Sequence, residues 1–165
     1  MTLSSVGAIV GALNRAGVRY IVVGGLAVNA HGYLRFTKDI DIVVALDRDN
    51  VLAAFAALAP LGYSPLVPVT AEQFADPALR DRMIEEKGMK VLQLFSDAHR
   101  ETPVDLFVSE PFDFAAEHRD ALVRDLAGVG EVRFASVATL IRLKEAAGRP
   151  EDLVDVHYLR SLQDD

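Results

Sequence analysis

The stretch "YIVVGGLAVNAHGYLRFTKDIDIVV", Tyr20 to Val44, restricts the fold more than any other part of the chain. A β-branched run stops at Gly24 and Gly25, a short segment closes on Gly32, and a second apolar run carries two acids, Asp39 and Asp41. In a strand these acids project from one face, about 6 to 7 Å apart along the chain, while Ile40 and Ile42 point to the other. Carboxylates converging in a desolvated place raise one another's pKa and destabilise a fold unless a cation neutralises them. Oxygen-only ligands favour a hard ion, Mg²⁺ first and Mn²⁺ as an alternative.

A third acid, Asp105, is enclosed by apolar residues in "TPVDLFV" and belongs on the same sheet by that pattern. Three acids on one sheet form a candidate two-metal site for phosphoryl or nucleotidyl transfer, with Asp39, Asp41 and Asp105 as metal ligands and catalytic residues. The Gly24-Gly25 corner brings backbone amides, with no Cβ in the way, to where phosphate oxygens could approach.

The 165 residues suit one domain, with a core over about 1–110 and a C-terminal hairpin and helices over about 111–165. The absence of cysteine rules out disulfides and thiolate metal sites, and a cytoplasmic location is the expectation. The net charge of −7 opposes diffuse attraction to nucleic acid or anionic lipid. No apolar stretch reaches the about 18 to 20 residues a membrane crossing needs, so no membrane partner is expected. The N-terminal apolar residues Val6, Ile9, Val10 and Leu13 have helical spacing instead.

The remaining pattern is α/β. "RYIVV" reads as a strand, "LAVNAHGY" as two helical turns, "KDIDIVVAL" as a second strand and "DRDNVLAAFAALAPLG" as a helix. Tyr63 to Val69 reads as a loop. "TAEQFADPALRDRMIEEKG" reads as one or two short helices, with Asp76 capping and Pro77 first. "MKVLQLF" and "TPVDLFV" form an antiparallel hairpin, "SEPFDFAAEHRD" a surface helix, and "ALVRDL" and "EVRFA" a smaller hairpin. Ser136 caps "VATLIRLKEAAG", and "RPEDLVDVHYLRSL" is a last helix with Leu153, Val156, Tyr158 or Leu159, and Leu162 available for burial.

Other chemistries fit less well. G-x-G-x-x-G is absent, since the glycine after Gly24 and Gly25 is Gly32. Val43 and Val44 stand where an EF-hand needs a ligand and a glycine, there is no G-x-S-x-G elbow, and His31, His99, His118 and His157 share no zinc spacing. Arg35 and Lys38 are equally readable as triphosphate contacts or solvated loop cations. Thr37 either bonds a phosphate or closes a turn.

Gly24-Gly25, the thirteen-residue spacer, Asp39-Ile40-Asp41 and the later Asp105 resemble the signature of the nucleotidyltransferase superfamily that includes DNA polymerase beta. Within it the chain is similar to the AbiEii-like group, which contains toxins of type IV toxin-antitoxin systems. The resemblance implies a minimal nucleotidyltransferase fold, a mixed central sheet flanked by helices, and an NTP substrate. It extends to "LIRLKEAAGRPEDLVDVHYL", where Lys144 would meet the nucleotide phosphates and Asp152 or Asp155 would help order the site. Gly24, Gly25, Lys38, Lys144 and Asp152 are thus the nucleotide-binding candidates. The acceptor is left open among tRNA, protein and small molecule, with a cognate antitoxin as an implied partner. Gly25 departs from the pattern, since many active members carry Ser there. A second class also stands: a nucleotide- or partner-binding module of the same fold without catalysis.

Overall fold

A computed structural model describes residues 1–164. In chain order the elements are α1 (Leu3–Arg15), β1 (Tyr20–Val23), α2 (Gly24–Ala30), β2 (Ile40–Val44), α3 (Arg48–Leu58), β3 (Ser64–Pro65), α4 (Ala71–Ala75) and α5 (Pro77–Lys87). They continue as β4 (Val91–Phe95), β5 (Val104–Phe107), α6 (Phe114–Asp120), β6 (Leu122–Leu126), β7 (Gly130–Phe134), α7 (Val137–Ala147) and α8 (Pro150–Gln163). The seven strands form one mixed sheet in the order β3-β4-β5-β2-β1-β7-β6. β2 pairs with β5, and β1 with β7, in parallel, while the remaining pairs are antiparallel. Helices flank the sheet, and the α7–α8 pair closes the chain.

The helices begin where capping chemistry places them. Thr2 accepts a hydrogen bond from Ser5 N at the start of α1, and the Val6, Ile9, Val10 and Leu13 face is buried. Thr70 and Gln73 form a reciprocal capping box that opens α4. Asp76 then caps α5, so the segment of uncertain division is two helices. Ile21, Ile40, Ile42, Leu92, Leu94, Leu106, Leu140 and Leu159 lie fully inside, each stabilising the fold by about 1.5 to 3 kcal/mol through burial.

Three sequence expectations are corrected. β2 starts at Ile40, not Lys38, so Asp39 occupies a bend before the strand. The ladder stops because Ile40 N donates to Pro103 O, and Pro103 has no N–H with which to continue the pairing. The Tyr63–Val69 loop contains the two-residue strand β3, paired with β4. Leu153 is 58% exposed, because the inward face of α8 is Asp152, Asp155, Val156 and Leu159, spaced i, i+3, i+4 and i+7. The β6–β7 hairpin forms as expected and joins the sheet through Val22 opposite Phe134.

Candidate active site

Register places the acids. Val23, Asp41, Asp105 and Gln93 stand opposite one another across β1, β2, β5 and β4, in one row. Adjacent strands are about 4.8 Å apart, so the Asp41 and Asp105 carboxylates rise side by side from the same face. Gln93 Nε2 donates to Asp105 Oδ1 at 2.9 Å and fixes its orientation. Burial foremost, then the charges of Asp105 and Asp39, push the Asp41 carboxyl up to about 7, against the pull of Lys144 and Arg149. Asp105 is also raised by burial, with the Gln93 hydrogen bond holding it back. Near neutral pH Asp41 is therefore partly protonated unless a cation takes the place of its proton.

Asp39 acts on both carboxyls through its charge, from the bend before β2. Among the described residues, no three His, Cys, Asp or Glu side chains converge as a ready-made cation cage. The donor chemistry of Asp41 and Asp105 nonetheless fits a hard divalent ion: two adjacent carboxylates, oxygen donors only, whose joint ionisation is opposed by burial.

The glycine corner is packed from within. Gly24 has φ +68°, and a Cβ on it would fall 2.8 Å from Asp41 Cγ and nearer still to Oδ2. A Cβ on Gly25 would lie 2.7 Å from Thr37 Oγ1. The Thr37 side chain thus fills the space that a serine at position 25 would need, which accounts for the departure at Gly25 in steric terms.

Behind this corner lies a buried ion cluster. Lys144 Nζ is 3.2 Å from Asp152 Oδ1 and 2.9 Å from Asp155 Oδ2. Arg149 Nε donates to Asp152 Oδ2 at 2.8 Å, and Arg35 Nε lies 3.0 Å from Asp155 Oδ1. Asp155 is held by charge without aligned hydrogen bonds. Glu151 adds a third acid, 3.8 Å from Arg149 Nε, so three cations face three acids and the cluster is balanced in charge. Lys144, Arg149 and Asp152 share a cavity of about 120 Å³ with Gly24 and Asp41, and the two cations there act on the Asp41 carboxyl through their charge. Lys144 and Asp152 are buried, whereas Lys38 faces outward and exposed.

The segment between α2 and β2 is strapped down on alternate residues. Tyr33 stacks on Tyr158 at 4.9 Å, Arg35 reaches Asp155, and Thr37 packs on Gly25. Asn29 exchanges two hydrogen bonds with the Arg35 backbone. Sequence reasoning missed Gln93, and it reads Arg149, before Pro150, equally as a helix-end charge or a substrate contact. A signal existed for Gln93: it is a polar residue inside "VLQLF", in a strand expected to pair with that of Asp105.

The mixed seven-stranded sheet, its flanking helices and the C-terminal helix pair make a nucleotidyltransferase-like fold, which solved structures share. A lincosamide antibiotic adenylyltransferase, LnuA, with lincomycin bound, is 14% identical over 98% of each chain, with a TM-score of 0.60. ANT(2″)-Ia in complex with adenylyl-2″-tobramycin is 14% identical over 98% of this chain and 88% of its own, at a TM-score of 0.58. An antigenic nucleotidyltransferase-like protein from Paracoccidioides brasiliensis is 17% identical over 96% and 75%, at 0.55. At such identities the likeness is one of fold. No protein-family model matches the chain. No curated protein matches it. No helix among the described residues is long and apolar enough to cross a membrane.

Proposed function

We propose that the protein transfers a nucleoside monophosphate from an NTP to an acceptor hydroxyl. The acceptor oxygen forms a bond to the α-phosphorus, the bond to the β-phosphate oxygen breaks, and pyrophosphate leaves. The observation that carries this reading is the register of Asp41 against Asp105 on a nucleotidyltransferase fold.

Asp41 and Asp105 would hold Mg²⁺, with Asp39 as a further ligand candidate from the bend before β2; the ion when bound neutralises the triphosphate and the developing charge on the leaving group. Asp105 lines the larger cleft beside the pair and takes the proton of the acceptor hydroxyl; Gln93 holds its carboxyl for that purpose. Asp41 borders both that cleft and the smaller cavity, at the junction of acceptor and phosphates. The amides of Gly24 and Gly25 cradle the β and γ phosphates, and Thr37 supplies a hydroxyl where position 25 has none. Lys144 and Arg149 set positive charge against the phosphates, Lys38 adds charge from outside, and Asp152 and Asp155 hold Lys144 in place.

A small-molecule acceptor is the version we favour over tRNA or protein. The net charge of −7 stands against RNA, and two matching structures contain antibiotic ligands. The AbiEii-like toxin role with a cognate antitoxin is a narrower reading that no structural observation favours. The test is transfer of label from α-labelled NTP, with pyrophosphate release. Wild type should incorporate label while Asp41→Ala and Asp105→Ala do not; metal-dependent nucleotide binding without turnover would instead identify a binding module.

A further inference from the structure

The larger cleft has a volume of about 590 Å³, within the range of roughly 300 to 1,000 Å³ usual for small-ligand pockets. Asp41 and Asp105 sit in it, between α5, the β4–β5 strands and the end of α7. Apart from them its lining is largely apolar: Ile84, Met89, Val91, Phe107, Leu143 and Ala146 surround the space. Ile84 is 36% exposed on α5, a helix otherwise rich in charge, so its apolar side chain faces an opening and not the core. The charged groups besides the two acids are cations, Lys90 and Arg149, both exposed.

This lining discriminates between ligand classes. An aminosugar polycation needs several carboxylates for its ammonium groups, and among the described lining residues the carboxylates are Asp41 and Asp105 alone. An RNA end needs a basic track, for which two cations on a chain of net charge −7 are too few. A molecule with an aromatic or aliphatic body buries that body against Ile84, Phe107 and Leu143, and a hydroxyl at its inner end reaches the Asp105 carboxylate.

We propose that the cleft takes as acceptor a small neutral or anionic molecule with an apolar body and a free hydroxyl, an assignment that rests on the transferase reading above. Lys90, exposed in the lining, tolerates or pairs an anionic group there. Ala146 lines this cleft but not the smaller cavity behind Gly24, so filling position 146 blocks the acceptor and spares the phosphate side.

The test uses calorimetric binding of chloramphenicol and phenylhexanol as neutral hydroxylated probes, kanamycin as the polycation, and Mg²⁺ with a non-hydrolysable ATP analogue as a separate titration. We expect a neutral probe to bind at least about tenfold more tightly than kanamycin, and Ala146→Trp to weaken it about tenfold with the nucleotide titration unchanged. Ile84→Asp, at an exposed helical position, should weaken it in the same way if Ala146→Trp fails to fold. Kanamycin binding as well as the neutral probes, no neutral probe binding, or neutral-probe affinity unchanged in the folded cleft variants would overturn the assignment. Failure of the nucleotide titration alone, with probe binding intact, would count against nucleotidyl transfer and not against the ligand class of the cleft.

Discussion

The Asp41 carboxylate packs directly against the Cα of Gly24, in the space where any other residue would carry its Cβ. The strand-to-helix corner and the acid row are therefore one unit, and the corner cannot change without displacing the carboxylate. Gly24→Ala combines that collision with a left-handed backbone, and should lower stability by about 2 to 3 kcal/mol as well as transfer activity. Gly88→Ala is the control: it too has positive φ but open space around it, and should cost only about 1 kcal/mol. Urea midpoints of the two variants check the contrast.

Asp41 titrates near 7, above its unfolded value of about 4. Because the folded pKa is raised, the stability linked to its proton is full below the unfolded pKa and is lost as pH rises through about 7. Without divalent ions, Asp41→Asn should melt higher than wild type at pH 8, with the gap closing towards pH 5. Mg²⁺ should raise the wild-type melting temperature at pH 8 and leave that of the variant nearly unchanged.

Asp155 neutralises Lys144 and Arg35 at once, so its loss leaves buried Lys144 with Asp152 alone and takes away the carboxylate facing Arg35. Asp155→Ala should cost about 3 to 5 kcal/mol. Arg35→Met leaves Asp155 still paired with Lys144 and should cost only about 1 kcal/mol in wild type. In the Asp155→Ala background Arg35→Met should cost nothing further, a coupling that a double-mutant cycle by denaturant unfolding would measure.

Thr37 fills the space beside Gly25 and carries the only side-chain hydroxyl the proposed mechanism assigns to the phosphates. Thr37→Val preserves the shape, so stability should stay within about 0.5 kcal/mol while transfer falls about tenfold. Gly25→Ser should be poorly tolerated alone and rescued by Thr37→Ala, and steady-state kinetics of the three variants test the exchange.

Part of this site was legible in the sequence because apolar neighbours betrayed it: Asp41 and Asp105 interrupt runs that must be strands, and Gly24 stops one. The pairing of β2 with β5 is a long-range choice that periodicity does not encode, so the adjacency of Asp41 to Asp105 required the fold. Asp39 was misplaced by one element boundary, because the ladder's end is set by Pro103, far away in sequence. The pair Arg35 and Asp155 was invisible as a pair for the same reason, since the loop cation reads equally as a triphosphate contact or a solvated charge, and the helix acid reads only as one that orders the site. Leu153 was assigned to the core by its hydrophobicity, whereas two ion-paired aspartates claimed the inward face of α8.

On the proposed mechanism the Asp41–Asp105 pair holds a divalent ion together with a nucleotide. Electron paramagnetic resonance of Mn²⁺ with a non-hydrolysable NTP analogue measures this without any acceptor. Wild type should bind the ion, and Asp41→Asn and Asp105→Asn should each weaken binding by about a hundredfold while remaining folded. Equal Mn²⁺ binding by wild type and both variants would contradict it.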